Sequence, residues 1–159
     1  PYTIFRPSWV YGPEDRSLNK FATFARLLPF VPVIGSGKTR VQPLFVEDLA
    51  QAVAASLRTG AAVNQTYEIG GPEELTMAEI IRIMLRVMGR RKPLLHSPAG
   101  LMKIAAWPLQ FLPAAPLSPG AVDFVLMEEP VDNTLAQRDL GLKLTPLAEG
   151  LSHLRTARR

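Results

Sequence analysis

Apolar positions along the chain alternate between strand-like and helical spacing, which predicts short strands and helices in turn. Helical spacing is clearest after Thr76, because Thr76 and Glu79 form a capping box ahead of an apolar stripe. Ser17 is an N-cap candidate for an earlier helix, and Glu47 and Asp48 open another. Strands are predicted at 2–5, 31–34, 41–46, 66–69, 74–76 and 94–96, and helices at 17–28, 47–60, 76–89, 118–128, 133–139 and 145–156.

The composition is typical of a soluble globular protein of ordinary domain size. Of the 159 residues, 47% are hydrophobic and 20% are charged. No apolar run reaches the roughly 20 uncharged residues that a membrane-spanning helix needs. The stretch 98–117 comes nearest, but Pro108, Pro113 and Pro116 break it. The absence of cysteine excludes disulfides, thiolate zinc sites and cysteine nucleophiles.

The formal net charge of +4 arises mainly at two predicted helix ends, where the helix dipole favours cations. No basic stripe with interleaved aromatic residues occurs in the sequence, so nucleic acid is not a predicted partner. The cations that supply most of the excess are Arg90, Arg91, Lys92, Arg155, Arg158 and Arg159.

Two glycine motifs resemble phosphate-binding loops but lack residues that such loops need. The Gly-Lys-Thr sequence at 37–39 has proline at position 32, where a P-loop has its first glycine. Gly35 and Gly37 are followed by Arg40 in place of the third glycine of a dinucleotide-binding loop. The sequence therefore predicts a tight turn between strands here, and no Rossmann phosphate loop in this chain.

Two further groups of polar residues have ordinary structural explanations. Glu47 and Asp48 are a candidate acid–base pair, although the helix dipole and capping also account for adjacent carboxylates at a helix start. His96 and His153 are the only imidazoles and lie in different predicted elements, so no metal site is predicted.

Five stretches, in order along the chain, carry a family resemblance. They are TIFRPSWVYGP at 3–13, Gly35-Ser36-Gly37, FVEDLA at 45–50, YEIGG at 67–71, and Asp139-Leu140-Gly141 followed by TPLAEGL at 145–151. Together they resemble the extended short-chain dehydrogenase/reductase superfamily, the NAD-dependent epimerase/dehydratase type. The sequence at 37–50 has Gln42-Pro43 in place of the usual acidic-aromatic pair, and it is more similar to the atypical branch of this superfamily. That branch contains the NAD(P)H-binding accessory subunit of respiratory complex I and its bacterial relatives.

The resemblance implies an α/β fold. This would be the C-terminal part of a Rossmann-type NAD(P)-binding fold, with its late parallel strands, plus a small mixed α/β substrate lobe. Rossmann-side elements are expected at about 1–30 and 46–71, and the substrate lobe at about 31–45 and 72–159. An N-terminal dinucleotide-binding half is expected to be the partner of this chain.

Catalytic residues are not expected in this chain. None of its three tyrosines is followed four positions later by lysine, so the superfamily's Tyr-x-x-x-Lys pair is missing. That pair supplies the general acid and the lysine that lowers its pKa and holds the ribose. The chain alone should therefore be inactive.

The resemblance also implies contacts with NAD or NADP, because the superfamily packs the loop after the first strand against the nicotinamide and its carboxamide. Arg40 lies one residue before the position where sugar-nucleotide enzymes place a diphosphate-binding arginine, which argues against a nucleotide-sugar substrate. Cofactor contacts are assigned to Pro7, Ser8 and Val10, with an ordinary structural role as the alternative, and substrate contacts to Tyr11, Arg40 and Gln42.

Two functions follow from the resemblance. In the first, the parent protein is an epimerase, dehydratase or oxidoreductase, to which this chain supplies nicotinamide-side contacts and the substrate lobe. In the alternative, it is a non-catalytic NAD(P)H-binding or assembly subunit related to complex I. A free-standing partner-binding domain is a third hypothesis.

A cytoplasmic location, or one peripheral to the membrane, is expected. The segment 98–117 is expected either to roof the substrate cleft and fill the lobe's core, or to dock onto a membrane surface or a hydrophobic protein partner.

Overall fold

The computed structural model describes residues 1–15, 17–98 and 131–155, which alternate strands and helices as the apolar spacing predicts. Within these ranges, no helix combines the length and apolar character needed to cross a membrane. The elements are β1 (Thr3–Pro7), β2 (Val10–Tyr11), α1 (Leu18–Leu27), β3 (Val31–Ile34), β4 (Arg40–Val41), β5 (Leu44–Phe45), α2 (Val46–Ser56), a 3-10 turn (Gly60–Ala62), β6 (Gln65–Ile69), β7 (Leu75–Thr76), α3 (Met77–Val87), β8 (Leu94–Ser97), α4 (Thr134–Leu140), α5 (Leu147–Gly150) and a second 3-10 turn (Ser152–Leu154).

The chain divides into two compact units that each draw on separate stretches of sequence. The first unit contains Pro1–Asp15, Val41–Leu75 and Glu129–His153, and the second contains Arg16–Arg40, Thr76–Glu128 and Leu154–Arg159. The division into a Rossmann side and a substrate lobe, expected from the family resemblance, stays a prediction.

In the first unit, β1 and β6 form a parallel pair whose register runs from Thr3 opposite Gln65 to Pro7 opposite Ile69. The predicted strands at 2–5 and 66–69 are thus confirmed and lie side by side. β2 pairs in parallel with β5. Helices α2 and α4 cover this part of the chain and bury an apolar core. Its fully or nearly fully buried members are Leu44, Ala52, Ala62, Tyr67, Ile69, Ala136 and Leu140.

In the second unit, β3 pairs in parallel with β8, and α1 packs against β3 and α3. The predicted capping box begins α3: the Glu79 amide donates to Thr76 Oγ1 at 3.3 Å, and the Thr76 amide donates to Glu79 Oε2 at 2.8 Å. The hydrogen bond from the Thr76 hydroxyl, and then that from its amide, lower the pKa of the Glu79 carboxyl below its usual range. The buried face of α3 consists of Met77, Ala78, Ile80, Ile81, Met84 and Leu85.

Two predicted elements differ from the structure. The single strand expected at 41–46 is interrupted at Gln42 and Pro43, and Val46 already begins α2. Proline cannot donate a ladder hydrogen bond, and the Gln42 carbonyl accepts the Gly71 amide at 3.0 Å. The helix expected at 145–156 is limited to α5 and a 3-10 turn. The helix predicted at 118–128 and the apolar segment 98–117 lie outside the described residues, apart from position 98.

Candidate functional site

The carboxyl end of β1 holds a buried hydroxyl that has no hydrogen-bond partner among the described residues. The Ser8 amide donates to the Ile69 carbonyl at 2.8 Å, which extends the β1–β6 pairing by one residue. This bond fixes Ser8 in a position where only 5% of the residue is exposed, and its Oγ is unpaired. An unpaired buried hydroxyl is costly, and carboxyl ends of parallel strands are where open α/β sheets bind ligands. Ser8 Oγ is therefore a candidate ligand contact.

The other two predicted cofactor residues lie on either side of Ser8. Pro7 ends β1 and is exposed, whereas Val10 is half-buried in β2 opposite Leu44. Trp9, between them, is buried, and its carbonyl accepts the Leu44 amide at 2.9 Å. The structure thus brings the three predicted residues together at one end of β1, with Trp9 as a packing residue.

Tyr11 follows on β2 but is only 1% exposed. Its ring lies 5.6 Å from the Phe45 ring, and its hydroxyl, which lies against Gly150, has no hydrogen-bond partner among the described residues. Burial raises the pKa of Tyr11 well above its usual value, and the nearby carboxylates of Asp48 and Glu73 raise it further. The tyrosine therefore stays neutral, and any substrate contact by it requires access to a buried ring.

Asp48 forms a tertiary link that local sequence patterns do not reveal. Its Oδ2 accepts the Thr145 amide at 2.6 Å and its Oδ1 accepts the Thr145 hydroxyl at 2.8 Å. Nearby, Glu73 Oε2 accepts the Leu147 amide at 2.9 Å. The N-cap of α2 is Phe45, with no side-chain capping bond. Asp48 thus fastens the segment before α5 to the start of α2.

The predicted substrate residue Gln42 lies beside a two-glycine turn. Gln42 Oε1 accepts the Val131 amide at 2.6 Å. Asn133 holds the same turn from the other direction, because its Oδ1 accepts the Gly70 amide at 2.7 Å and its Nδ2 donates to the Gly71 carbonyl at 3.1 Å. Neither Asn133 nor its role stands out in the sequence.

Arg40 is exposed and belongs to the second unit, whereas the other predicted site residues belong to the first. Its positive charge contributes to the lowered pKa of Glu79. No group of three or more potential metal ligands occurs in the described ranges. The residues that the structure brings together within one unit are therefore Pro7, Ser8, Val10, Tyr11 and Gln42.

Three kinds of comparison relate this chain to known proteins. Residues 1–70 match the model of the NAD dependent epimerase/dehydratase family. The mitochondrial NADH dehydrogenase (ubiquinone) 1 alpha subcomplex subunit 9 of Arabidopsis thaliana is 37% identical over 111 residues, which cover 69% of this chain and 28% of that protein. The chain spans between 23% and 39% of the length of the first curated relatives it matches.

Solved structures of sugar-nucleotide enzymes share the fold. UDP-glucose 4-epimerase from Thermotoga maritima matches with a TM-score of 0.68 at 21% identity, covering 95% of this chain and 43% of that chain. UDP-glucuronic acid 4-epimerase from Bacillus cereus, in complex with UDP-glucuronic acid and NAD, matches with a TM-score of 0.66 at 20% identity, over 95% and 43% of the two chains. These matches confirm the predicted Rossmann-type α/β fold class. Residues 1–70 are thus similar to the NAD dependent epimerase/dehydratase family.

Proposed function

We propose that this chain is the C-terminal part of an NAD(P)-binding protein, to which it supplies nicotinamide-side contacts and a substrate lobe. The observation that carries the proposal is the buried Ser8 hydroxyl at the carboxyl end of two parallel strands, which has no hydrogen-bond partner among the described residues. The similarity of residues 1–70 to the NAD dependent epimerase/dehydratase family supports the same class of ligand.

Each residue at this end of β1 has a distinct part in binding. The Ser8 hydroxyl would form a hydrogen bond with the carboxamide of a nicotinamide. Pro7 fixes the direction in which the chain leaves β1, and the half-buried Val10 offers an apolar contact to the ring. NAD or NADP, when bound, supplies hydride transfer. The choice between the two depends on residues that meet the adenosine ribose in the dinucleotide-binding half.

The first unit also presents a surface that suits the partner half. Among the described residues, β1 pairs only with β6, which leaves its other edge open. Large apolar side chains near this edge and at the C-cap of α2 are exposed, including Tyr2 at 57%, Ile4 at 45% and Leu57 at 84%. Open edges and exposed apolar side chains usually mark pairing surfaces. An N-terminal half that continues the parallel sheet would cover them.

The parent protein is either an enzyme or a non-catalytic subunit. The similarity to the Arabidopsis subunit favours an NAD(P)H-binding structural or assembly role within a membrane complex. An enzyme would instead use Tyr11, Arg40 or Gln42 toward its substrate. A Tyr-x-x-x-Lys pair in the N-terminal half distinguishes the two, because it supplies the proton-transfer groups that this chain lacks.

The isolated chain is expected to bind NADPH very weakly or not at all, because it lacks the glycine-rich loop and helix N-terminus that hold a pyrophosphate. Calorimetric titration of the 159-residue chain, and of the chain joined to its N-terminal half, measures this difference. In the joined protein, Ser8→Ala should weaken NADPH binding about fivefold, the value of one hydrogen bond.

Ser152 is the matched control for Ser8, because it is an exposed serine in the same unit. Ser152→Ala should leave NADPH binding unchanged. Micromolar binding by the isolated chain would refute the need for a second half. Equal affinities of the Ser8→Ala and unmodified proteins would refute the nicotinamide contact.

The apolar segment 98–117 is proposed as a peripheral contact with a membrane surface or a hydrophobic protein partner, on the strength of its sequence. It carries one charge, Lys103, and Trp107 is a residue type that favours interfaces. Replacing Leu101 and Trp107 with serine is expected to abolish liposome or partner binding while leaving folding intact. Circular dichroism and vesicle flotation measure the two effects. Loss of folding without a separable binding defect would contradict the contact. It would favour the other interpretation, in which this segment fills the core of its own lobe.

A further inference from the structure

A basic surface lies where α3 ends and the chain turns into β8. It consists of Arg82, Arg86, Arg90, Arg91 and Lys92, which surround an open depression of about 930 Å³. The other described lining residues are neutral, so no carboxylate among the described residues lines the depression. All of these residues belong to the second unit.

Two of the five cations are accounted for by the fold itself. The Arg90 guanidinium donates to the Ala25 carbonyl at 3.5 Å, and Lys92 Nζ donates to the Leu28 carbonyl. Both carbonyls lie at the carboxyl end of α1, where the helix dipole favours cations. Arg90 and Lys92 therefore have a structural role in joining α1 to the segment before β8.

The other three cations are not explained in this way. Arg82, Arg86 and Arg91 are exposed, and neither Arg86 nor Arg91 forms an ion pair within the described ranges. Arg82 and Arg86 lie one turn apart on α3, so their like charges oppose each other. Three exposed guanidinium groups around one concave surface suit an anionic partner, because guanidinium binds phosphate oxygens in bidentate geometry.

The lining and the neighbouring sequence indicate which anion fits. Among the described residues no aromatic ring lines the depression, so none of them offers the base stacking on which single-stranded nucleic acid binding relies. Six positions after Lys92 the sequence enters the apolar stretch 98–117. A basic cluster beside an apolar segment is typical of proteins that bind the surface of anionic membranes. We propose that the basic surface binds the phosphate head groups of anionic phospholipids.

This inference rests on the proposed peripheral location and adds a preference for lipid charge. The test is flotation of the full chain with vesicles of phosphatidylcholine containing roughly 30% phosphatidylglycerol, and with pure phosphatidylcholine vesicles. The triple variant Arg82→Gln, Arg86→Gln, Arg91→Gln should bind the anionic vesicles at least about tenfold more weakly than the unmodified chain. Salt at about 0.5 M should remove the same difference, because it screens exposed charges.

A control variant with the same loss of charge comes from the first unit. Arg6, Arg58 and Lys143 are exposed there, and their joint replacement by glutamine should leave anionic-vesicle binding near that of the unmodified chain. An equal loss in both triple variants would show a general charge effect and overturn the inference. So would binding to a single-stranded oligonucleotide that the Arg82, Arg86 and Arg91 replacements abolish while vesicle binding persists.

The apolar and basic contacts fail in different ways. The Leu101 and Trp107 replacements should weaken binding to neutral and anionic vesicles alike, whereas the arginine replacements should affect anionic vesicles alone. If anionic and neutral vesicles bind equally and only the apolar replacements matter, the peripheral contact stands and the head-group site is wrong. If neither vesicle binds the unmodified chain, the head-group site and the membrane contact of the segment 98–117 are both wrong.

Discussion

Replacing Gly71 with alanine is expected to lower the free energy of unfolding by roughly 3 kcal/mol, the upper end for overpacking a close contact. A Cβ at this position would overlap the Pro43 carbonyl oxygen and lie 2.9 Å from the Pro43 carbonyl carbon. Those atoms are backbone, so they cannot rotate away as a side chain would. The Gly71 amide also donates to the Gln42 carbonyl at 3.0 Å, which opposes separation of the two backbone segments. Urea denaturation followed by circular dichroism measures the loss.

Gly60 provides the matched control for Gly71. It lies in the same unit, and a Cβ there would meet no heavy atom within 4 Å. Gly60→Ala should therefore change the unfolding free energy by less than about 0.5 kcal/mol. Equal stability of the Gly71→Ala and Gly60→Ala proteins would contradict this prediction. It would show that position 71 does not require glycine despite its close approach to Pro43.

Local patterns predicted the elements whose causes are local. The capping box of Thr76 and Glu79 joins residues three positions apart, and the start of α3 agrees with it. The extended runs that became β1 and β6 were visible from their apolar, β-prone residues, and parallel pairing buries Tyr67 and Ile69. Such features need no knowledge of the distant chain.

Elements that depend on contacts with residues far away in the sequence were missed or misplaced. The strand expected at 41–46 breaks because Gln42 and Pro43 face the two-glycine turn, and β2 exists because Val10 and Tyr11 meet Leu44 and Phe45. A hydrophobic pattern read over a short stretch of sequence does not include the distant partner in either case. The cations before β8 were explained by a helix end. The structure shows that Arg90 and Lys92 bind carbonyls at the end of α1, 65 and 64 positions earlier in the chain.

The candidate site, too, could be predicted from the sequence only in part. Family resemblance indicated Pro7, Ser8 and Val10. Only the structure shows that Trp9 is buried and that the buried Ser8 Oγ has no hydrogen-bond partner in the part of the chain that is described. For Glu47 and Asp48, the sequence offered an acid–base pair or effects at a helix start. The structure assigns Asp48 a different role, because its partner lies 97 positions away.

Replacing Asp48 with alanine is expected to lower the free energy of unfolding by roughly 3 kcal/mol, since hydrogen bonds to a charged group contribute about 1.5 to 3 kcal/mol each. The Asp48 carboxylate is 2% exposed and accepts two bonds from Thr145, at 2.6 Å and 2.8 Å. Its removal leaves the Thr145 amide and hydroxyl in a part-buried position without their acceptor. Thermal and urea denaturation measure the change, and Glu47→Ala is the control because Glu47 is the exposed carboxylate next to it.

A double-mutant cycle separates the Asp48–Thr145 link from a general effect at the start of α2. Thr145→Val removes the hydroxyl bond while keeping the amide bond, so it should cost less than Asp48→Ala. Once Asp48 is alanine, Thr145→Val should cost little more, which gives a coupling energy of about 1 kcal/mol between the two positions. The helix-dipole explanation predicts instead that Glu47→Ala and Asp48→Ala cost the same, about 0.5 kcal/mol each, with no coupling to Thr145. Equal losses of unfolding free energy would therefore show that Asp48 acts mainly through the helix dipole, and the proposed link to Thr145 would be wrong.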